Sequence, residues 1–554
     1  MQLTPQHLTI EQLLQGRLFR IPDYQRAYSW GKKQRADLLH DILEVHRSDR
    51  DHFMATIVAL GGEYRTMGAD RFRDVSLVDG QQRITTLIIL LKAIEKSLDD
   101  ESKDEAEAKS QLRRLIVKAD DHNLVLLQTN HDSSQVFANY VRAGQIGTAE
   151  VVTAADMNVV DAANEAEQFV SEWVASGSII ELLGTIRHKL SVIYHELQDE
   201  ASVYRVFEVL NSRGLDVRWI DKTKSQLLAS IYEFVDEGLR SDALHEQKTI
   251  WQDIYRYLGL EEGIGDEALR FAGTLKCKER PNRVLSDRDA SLAILDIGGD
   301  NVRSLSEAGN WLKNVVRTVV DLRQQSRLSA VLKTQQARFL AVAIKLRQFK
   351  PEVERDLLRV WENVTFRIFT LAGKDSRSKV GEYVRLGHDI VASELSAEEI
   401  LERLTKLGAG FSMKEVIGKS AWEGWYPDWS EDVRYVLYRY EEHCATNAGT
   451  DLNEAQWSKV WTADPSKSIE HILPQSSGKG FIHDLGNLTM LPPGVNSSLK
   501  DKPPKSKAKR YTECGLEITM AVGRQILRDG KWNKAAARAR GEAIGEFIKN
   551  EWSE

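Results

Sequence analysis

Near one end of the chain stands KSIEHILPQSSGKGFIHDLGNLTMLPPGVNSSLK, where a few polar residues of distinctive type interrupt apolar flanks. Hydrolysing a phosphodiester requires a base to activate water and a hard cation to neutralise the charge that develops on phosphate. His471, when neutral, can take the proton. Glu470 and Asn496 supply one carboxylate and one amide oxygen. That suffices for Mg2+ or Mn2+, because such a cation keeps several of its waters. Asn487, following Gly486, can brace the intervening loop through hydrogen bonds to backbone. Each residue type is individually common, so a strand pair with an incidental histidine stands as the second reading.

Another constellation is Val78-Asp79-Gly80-Gln81-Gln82-Arg83, between an apolar strand pattern and a helical one. A helix N-terminus presents unpaired N–H groups and the positive end of its dipole, which favours an anion such as phosphate. Gly80 lets backbone approach closely, Arg83 can fork onto phosphate oxygens, and Asp79 can hold a metal or position water. The alternative is an ordinary Asp-Gly turn with an N-cap, its glutamines and arginine solvated.

The elements that must position these groups follow from periodicity. HFMATIVAL reads as a strand, Gly61-Gly62 as a turn, and RFRDVSLV as a returning strand that Asp79-Gly80 ends. QQRITTLIILLKAIEKSL then reads as a helix with Ile84, Leu87, Ile88, Leu91 and Ile94 on one face. From about residue 100 to 445 the pattern is mostly helical, with 99–110 a charged connector or helix end, and turn-formers over 447–466 mark a last boundary. Asn211-Ser212-Arg213-Gly214 reads as a helix-ending turn. His483 reads as a surface residue, and Trp30, Trp457 and Trp461 as packing anchors. Lys500, Lys502, Lys505, Lys507, Lys509 and Arg510 form a basic run, either a solvated face or a phosphate contact.

At 554 residues the chain is too long for one core, and 42% hydrophobic with 28% charged residues is an ordinary globular balance. The fold class expected is multidomain and predominantly α, with a small α/β unit at the N-terminal end. The longest aliphatic run, Leu87 to Leu91, is far below the roughly 20 residues of a membrane span. No secretory signal is read, and Cys277, Cys444 and Cys514 stand apart with no CxxC, which suits a reducing cytoplasm. A net charge of −7 does not advertise nucleic-acid binding, although local patches decide that.

The string IEHILPQ, then LGNLTML and Asn496, resembles the HNH (ββα-metal) nuclease motif in its H-N-N variant. RIPDYQRAYSW, HFMATIVAL and LVDGQQRITTL resemble the ParB/sulfiredoxin-like N-terminal domain of the GmrSD-type restriction endonucleases, and VFEVLNSRGLDVRWIDKTKSQLL its later part. Ala55 stands where that family usually has glycine. The resemblance implies a nucleotide-binding core over 1–100, a helical remainder over 101–235, a helical relay over 236–446 and the nuclease over 447–554. It implies type IV restriction, the cleavage of double-stranded, base-modified DNA of phage origin, assisted by hydrolysis of ATP, GTP or CTP. His471 and Asn487 would then be catalytic in the nuclease, with Glu470 and Asn496 on the metal. Asp79 and Arg83 would act on the nucleotide, with Arg26, Gly80, Gln81 and Gln82 completing that pocket and Asn211 or Arg213 lining it. A homodimer is left open. The alternative is a nucleotide-gated, ParB-like DNA clamp whose HNH segment is inactive.

Overall fold

The computed structural model describes residues 5–553 apart from 23–24, 49, 68–69, 120–123, 130–133, 148–150, 198–217, 262, 412–423, 427 and 462–463. The helix-ending turn expected at residues 211–214 lies outside the described residues. The chain is multidomain and predominantly helical, with one small mixed sheet near the N-terminal end. It divides into two compact units, one of residues 1–273 with 286–317 and the other of 274–285 with 318–554. Among the described residues no helix is long and apolar enough to cross a membrane.

The first unit is built on six strands, β1 (Gln6–Thr9), β2 (Arg17–Arg20), β3 (His52–Met67), β4 (Asp70–Asp79), β7 (Leu127–Gln128) and β8 (Leu190–Leu197). A separate two-stranded pair joins β5 (Val117–Ala119) to β6 (Leu124–Val125). The sheet order is β1-β8-β3-β4-β2-β7. β3 and β4 are antiparallel, while β3 with β8 and β4 with β2 are parallel. Gly61-Gly62 does not turn the chain. β3 runs straight through it to Met67, and the pairing with β4 slips between Gly61 and Tyr64. A Cβ on Gly61 would lie 2.3 Å from Glu196 Oε1, and one on Gly62 2.9 Å from the Asp74 carbonyl oxygen. The pair marks a bulge under close side chains, a use of glycine that turn statistics do not anticipate.

The helix Gln81–Ser97 follows β4 directly. Its five expected apolar residues are all 1% exposed or less, yet the burial is not confined to one face. Residues 84–95 are buried on every side, including the Lys92–Glu95 ion pair. The reason is layering: the helices Lys103–Ile116, Ser134–Ala143, Ala154–Val174 and Ile179–Gly184 all pack onto it. Amphipathicity describes a surface helix, and this one is the centre of its unit. The charged segment 99–110 supplies the first turns of Lys103–Ile116, which buries Leu112 and Ile116.

In the second unit two short strands pair antiparallel, β9 (Ile469–His471) with β10 (Leu488–Met490), and the helix Pro493–Leu499 follows with proline in its first turn. The register sets Leu488 opposite His471 and Thr489 opposite Glu470. Helices Pro504–Thr512, Glu517–Asp529 and Lys534–Glu551 enclose this ββα element. The helix Ser430–Ala448 packs beside it and sends Glu441 to accept the backbone N–H groups of Glu517 and Ile518, at 2.7 and 2.8 Å. That caps a helix start which has no side-chain cap of its own.

Candidate active site

β9 places Glu470 and His471 in the lining of a cavity of about 610 Å3, and the helix Pro493–Leu499 adds Asn496 to it. The Asn496 amide is oriented by its nitrogen, which donates to the carbonyl oxygens of Lys467 (2.8 Å) and Ile469 (3.2 Å). Its amide oxygen is thereby left for the cavity. Glu470 Oε1 accepts from Lys507 Nζ at 2.7 Å and from the Tyr511 hydroxyl at 2.5 Å. Burial pushes the Glu470 carboxyl up, and Lys507 with Tyr511 pulls it down.

Both ring nitrogens of His471 are engaged. Nδ1 lies 3.2 Å from the amide nitrogen of Gln475, which also lines the cavity, and Nε2 lies 3.3 Å from Nδ1 of His483. Tyr426 packs edge-on to His471 at 4.7 Å and stacks on His483 at 5.5 Å. Burial, with the neighbouring His483 and Lys507, lowers the His471 pKa to about 4. The imidazole is neutral at pH 7, the form a general base requires. His483, expected at the surface, is instead half-buried and partnered with His471.

Asn487 sits behind this lining with no exposed surface. Its oxygen accepts from Leu473 N (2.9 Å) and Trp532 Nε1 (3.0 Å), and its nitrogen donates to Leu473 O (3.1 Å) and Ile482 O (3.0 Å). All four hydrogen-bonding positions of the amide are thus spent on the loop and its support. Gly486 is required by proximity: a Cβ there would lie 2.0 Å from the Ala537 carbonyl oxygen in the helix Lys534–Glu551. From that helix half-buried Arg540 donates to the carbonyls of Leu485, Gly486 and Leu488, and desolvation of its head group lowers its pKa to about 10.

A divalent cation fits this donor set. Glu470 and Asn496 line one cavity with a carboxylate and an amide, the hard oxygen donors that a cation keeping several waters takes; among the described residues no group of three or more His, Cys, Asp or Glu gathers at a metal-binding spacing, here or elsewhere.

The sequence matches the N-terminal domain of the GmrSD restriction endonucleases over residues 10–228 and their C-terminal domain over residues 412–547, together well over half of its length. The chain belongs to the GmrSD restriction endonuclease family. GmrSD membership makes it a nuclease of the type IV restriction class with DNA as its substrate. No curated protein matches the chain.

The GmrSD N-terminal match contains the DGQQR turn, which lies in the first unit. Gly80 takes φ +88°, and a Cβ on it would lie 2.1 Å from Ile57 Cδ1, so only glycine fits. Asp79 ends β4, where burial pushes its carboxyl up while the Gly80 N–H, Arg83 and Arg26 draw it down. Arg26 and Arg83 therefore both reach the field of Asp79, as the early segment folds back beside the turn: Gln25 donates to the Val78 carbonyl at 2.7 Å. Arg83 lies over the Trp30 ring at 5.8 Å. Gln82 spends one acceptor and one donor of its amide on the early segment: it accepts from Ser29 N (2.8 Å) and donates to Ala27 O (3.1 Å). It braces the segment 27–29. The Gln81 side-chain oxygen is buried without a hydrogen-bond partner at the helix start, a polar group awaiting one.

Lys507, Tyr511, Gln475 and Tyr426 were not singled out by sequence, and Lys507 was read only as part of a basic run. A signal existed for two of them. Pro504, Lys507, Ala508 and Tyr511 are the buried residues of their helix, at spacings of three, four and seven, so Lys507 occupies an inward stripe position.

Proposed function

We propose that this GmrSD endonuclease cleaves base-modified DNA, of phage origin, at the ββα cavity with a divalent cation, and that a nucleoside triphosphate held at the DGQQR turn regulates it. The observation that carries the reading is the convergence of Glu470, His471 and Asn496 on one cavity. His471 takes the proton of the attacking water at Nδ1, the ring nitrogen on the side of cavity-lining Gln475, whose amide yields to the water. His483 Nδ1, 3.3 Å from Nε2, holds the ring in orientation. Glu470 and Asn496 would hold Mg2+ or Mn2+, which supplies charge neutralisation at the scissile phosphate. Lys467 and Lys500, exposed at the rim, meet the DNA backbone.

At the turn, the triphosphate would meet the free N–H groups of the helix Gln81–Ser97 with Arg83 and Arg26 beside them. Asp79 would position a metal or water there. Nucleotide biases the nuclease through a conformational equilibrium, by binding one state more tightly than the other. The test is digestion of unmodified and variously modified phage DNAs with Mg2+ or Mn2+, with and without ATP, GTP or CTP, by the wild type and His471→Ala. Metal-dependent cutting of modified DNA, lost in His471→Ala while DNA binding persists, supports the reading. DNA binding with no cutting under any condition returns the chain to a nucleotide-gated clamp.

A further inference from the structure

We infer that Lys507 and Tyr511 are positioning residues of the nuclease: together they orient Glu470 so that its second carboxylate oxygen, and not the first, is presented to the cation. The inference rests on the metal-nuclease reading above. Glu470 Oε1 takes two donors, Lys507 Nζ at 2.7 Å and the Tyr511 hydroxyl at 2.5 Å, which occupy its lone pairs, fix the rotation of the carboxylate and leave Oε2 the freer oxygen. Both of these donors fall on Oε1, and Glu470 lines the cavity beside Asn496.

Lys507 does a second thing. Its Nζ also donates to the His471 carbonyl oxygen at 2.8 Å, so a single ammonium fixes the Glu470 carboxylate and the backbone of the base next to it. Lys507 has no exposed surface and Tyr511 none, although they stand in a run of lysines and arginine whose other cations are exposed. A lysine is buried at such a cost only where its charge is used. Partners that orient a ligating carboxylate are usually worth 10- to 100-fold in metal affinity.

The experiment measures Mn2+ binding to the full chain by calorimetry, beside cleavage of modified DNA as a function of Mn2+, in wild type, Glu470→Gln, Lys507→Met and Tyr511→Phe. Tyr511→Phe removes one hydroxyl and keeps the ring in its place, so it stays folded even where Lys507→Met does not. The expected result is Mn2+ binding weakened on the order of tenfold in Tyr511→Phe and further in Lys507→Met. Half-saturating Mn2+ for cleavage should rise in parallel, with DNA binding of Tyr511→Phe unchanged and its thermal midpoint lowered only by the loss of about one buried hydrogen bond. If Glu470→Gln loses Mn2+ while Tyr511→Phe binds it as wild type does, the positioning role is overturned and the metal reading stands. If Glu470→Gln binds Mn2+ normally, the metal reading fails and the positioning role fails with it.

Discussion

Replacing Asn487 separates bracing from chemistry. The side chain is fully buried and its amide makes four hydrogen bonds, two accepted and two donated. A buried hydrogen bond contributes roughly 0.5–1.5 kcal/mol, and a partner left unsatisfied costs about 1–3 kcal/mol. In Asn487→Ala the indole N–H of buried Trp532 is stranded, while Leu473 and Ile482 can be rewetted from the loop, which gives a loss of about 3–5 kcal/mol. Asn487→Asp keeps both accepted bonds but turns a carboxylate oxygen toward the carbonyls of Leu473 and Ile482, so it should cost a similar amount despite identical size. Urea denaturation of the full chain reads the stability, and amide hydrogen exchange over residues 472–486 locates it. Cleavage should fall with the loop, because β9 carries Glu470 and His471 and the Ile472 N–H is held by the Asn487 carbonyl at 2.9 Å. A shift of about 1 Å costs on the order of 100-fold in rate. Full stability and wild-type loop protection in Asn487→Ala, with cleavage abolished, would refute the bracing argument and put Asn487 on the reacting atoms.

Other outcomes follow from single contacts. Gly486→Ala sets a Cβ 2.0 Å from a helix carbonyl where ordinary contact is about 3.5 Å, so the helix Lys534–Glu551 must recede and stability should fall by roughly 1–3 kcal/mol. Gly494→Ala, with nothing within 4 Å of its Cβ, should stay within about 0.5 kcal/mol of wild type on the same urea curve. Arg439→Met should cost about 3–5 kcal/mol, because it leaves buried Glu362 with fewer cations. Burial pushes the Glu362 carboxyl up, but Arg327 and Arg439 outweigh it and hold it below its ordinary 4.5. That stability is present above the unfolded value and lost as pH falls through the folded one, so acid titration below about 4.5 should cost the wild type more than Arg439→Met. Arg83→Ala should lower nucleotide hydrolysis and also alter cleavage of modified DNA, although the ββα cavity is untouched. Paired turnover and nicking assays that respond independently would show that the two sites are not coupled.

The candidate residues and their local settings were legible in the sequence. Asp79-Gly80 between a strand and an apolar helix, and Glu470-His471 upstream of Gly486-Asn487 and Asn496, are local patterns, because turn chemistry, glycine and hydrophobic period act over a few residues. What only tertiary structure decided is which of those groups have partners. Gln82 reads like its neighbour Gln81 until the segment 27–29 folds onto it and bonds both ends of its amide. His483 lies twelve residues from His471 and becomes its partner only when the loop closes. Gly61-Gly62 looks like a turn and is a bulge, because the crowding side chains come from β4 and β8. Lys507 is one lysine among several until its helix docks and leaves it facing Glu470. Periodicity reports which way a side chain points, and whether a charge meets a carboxylate or water depends on what another part of the chain has placed there.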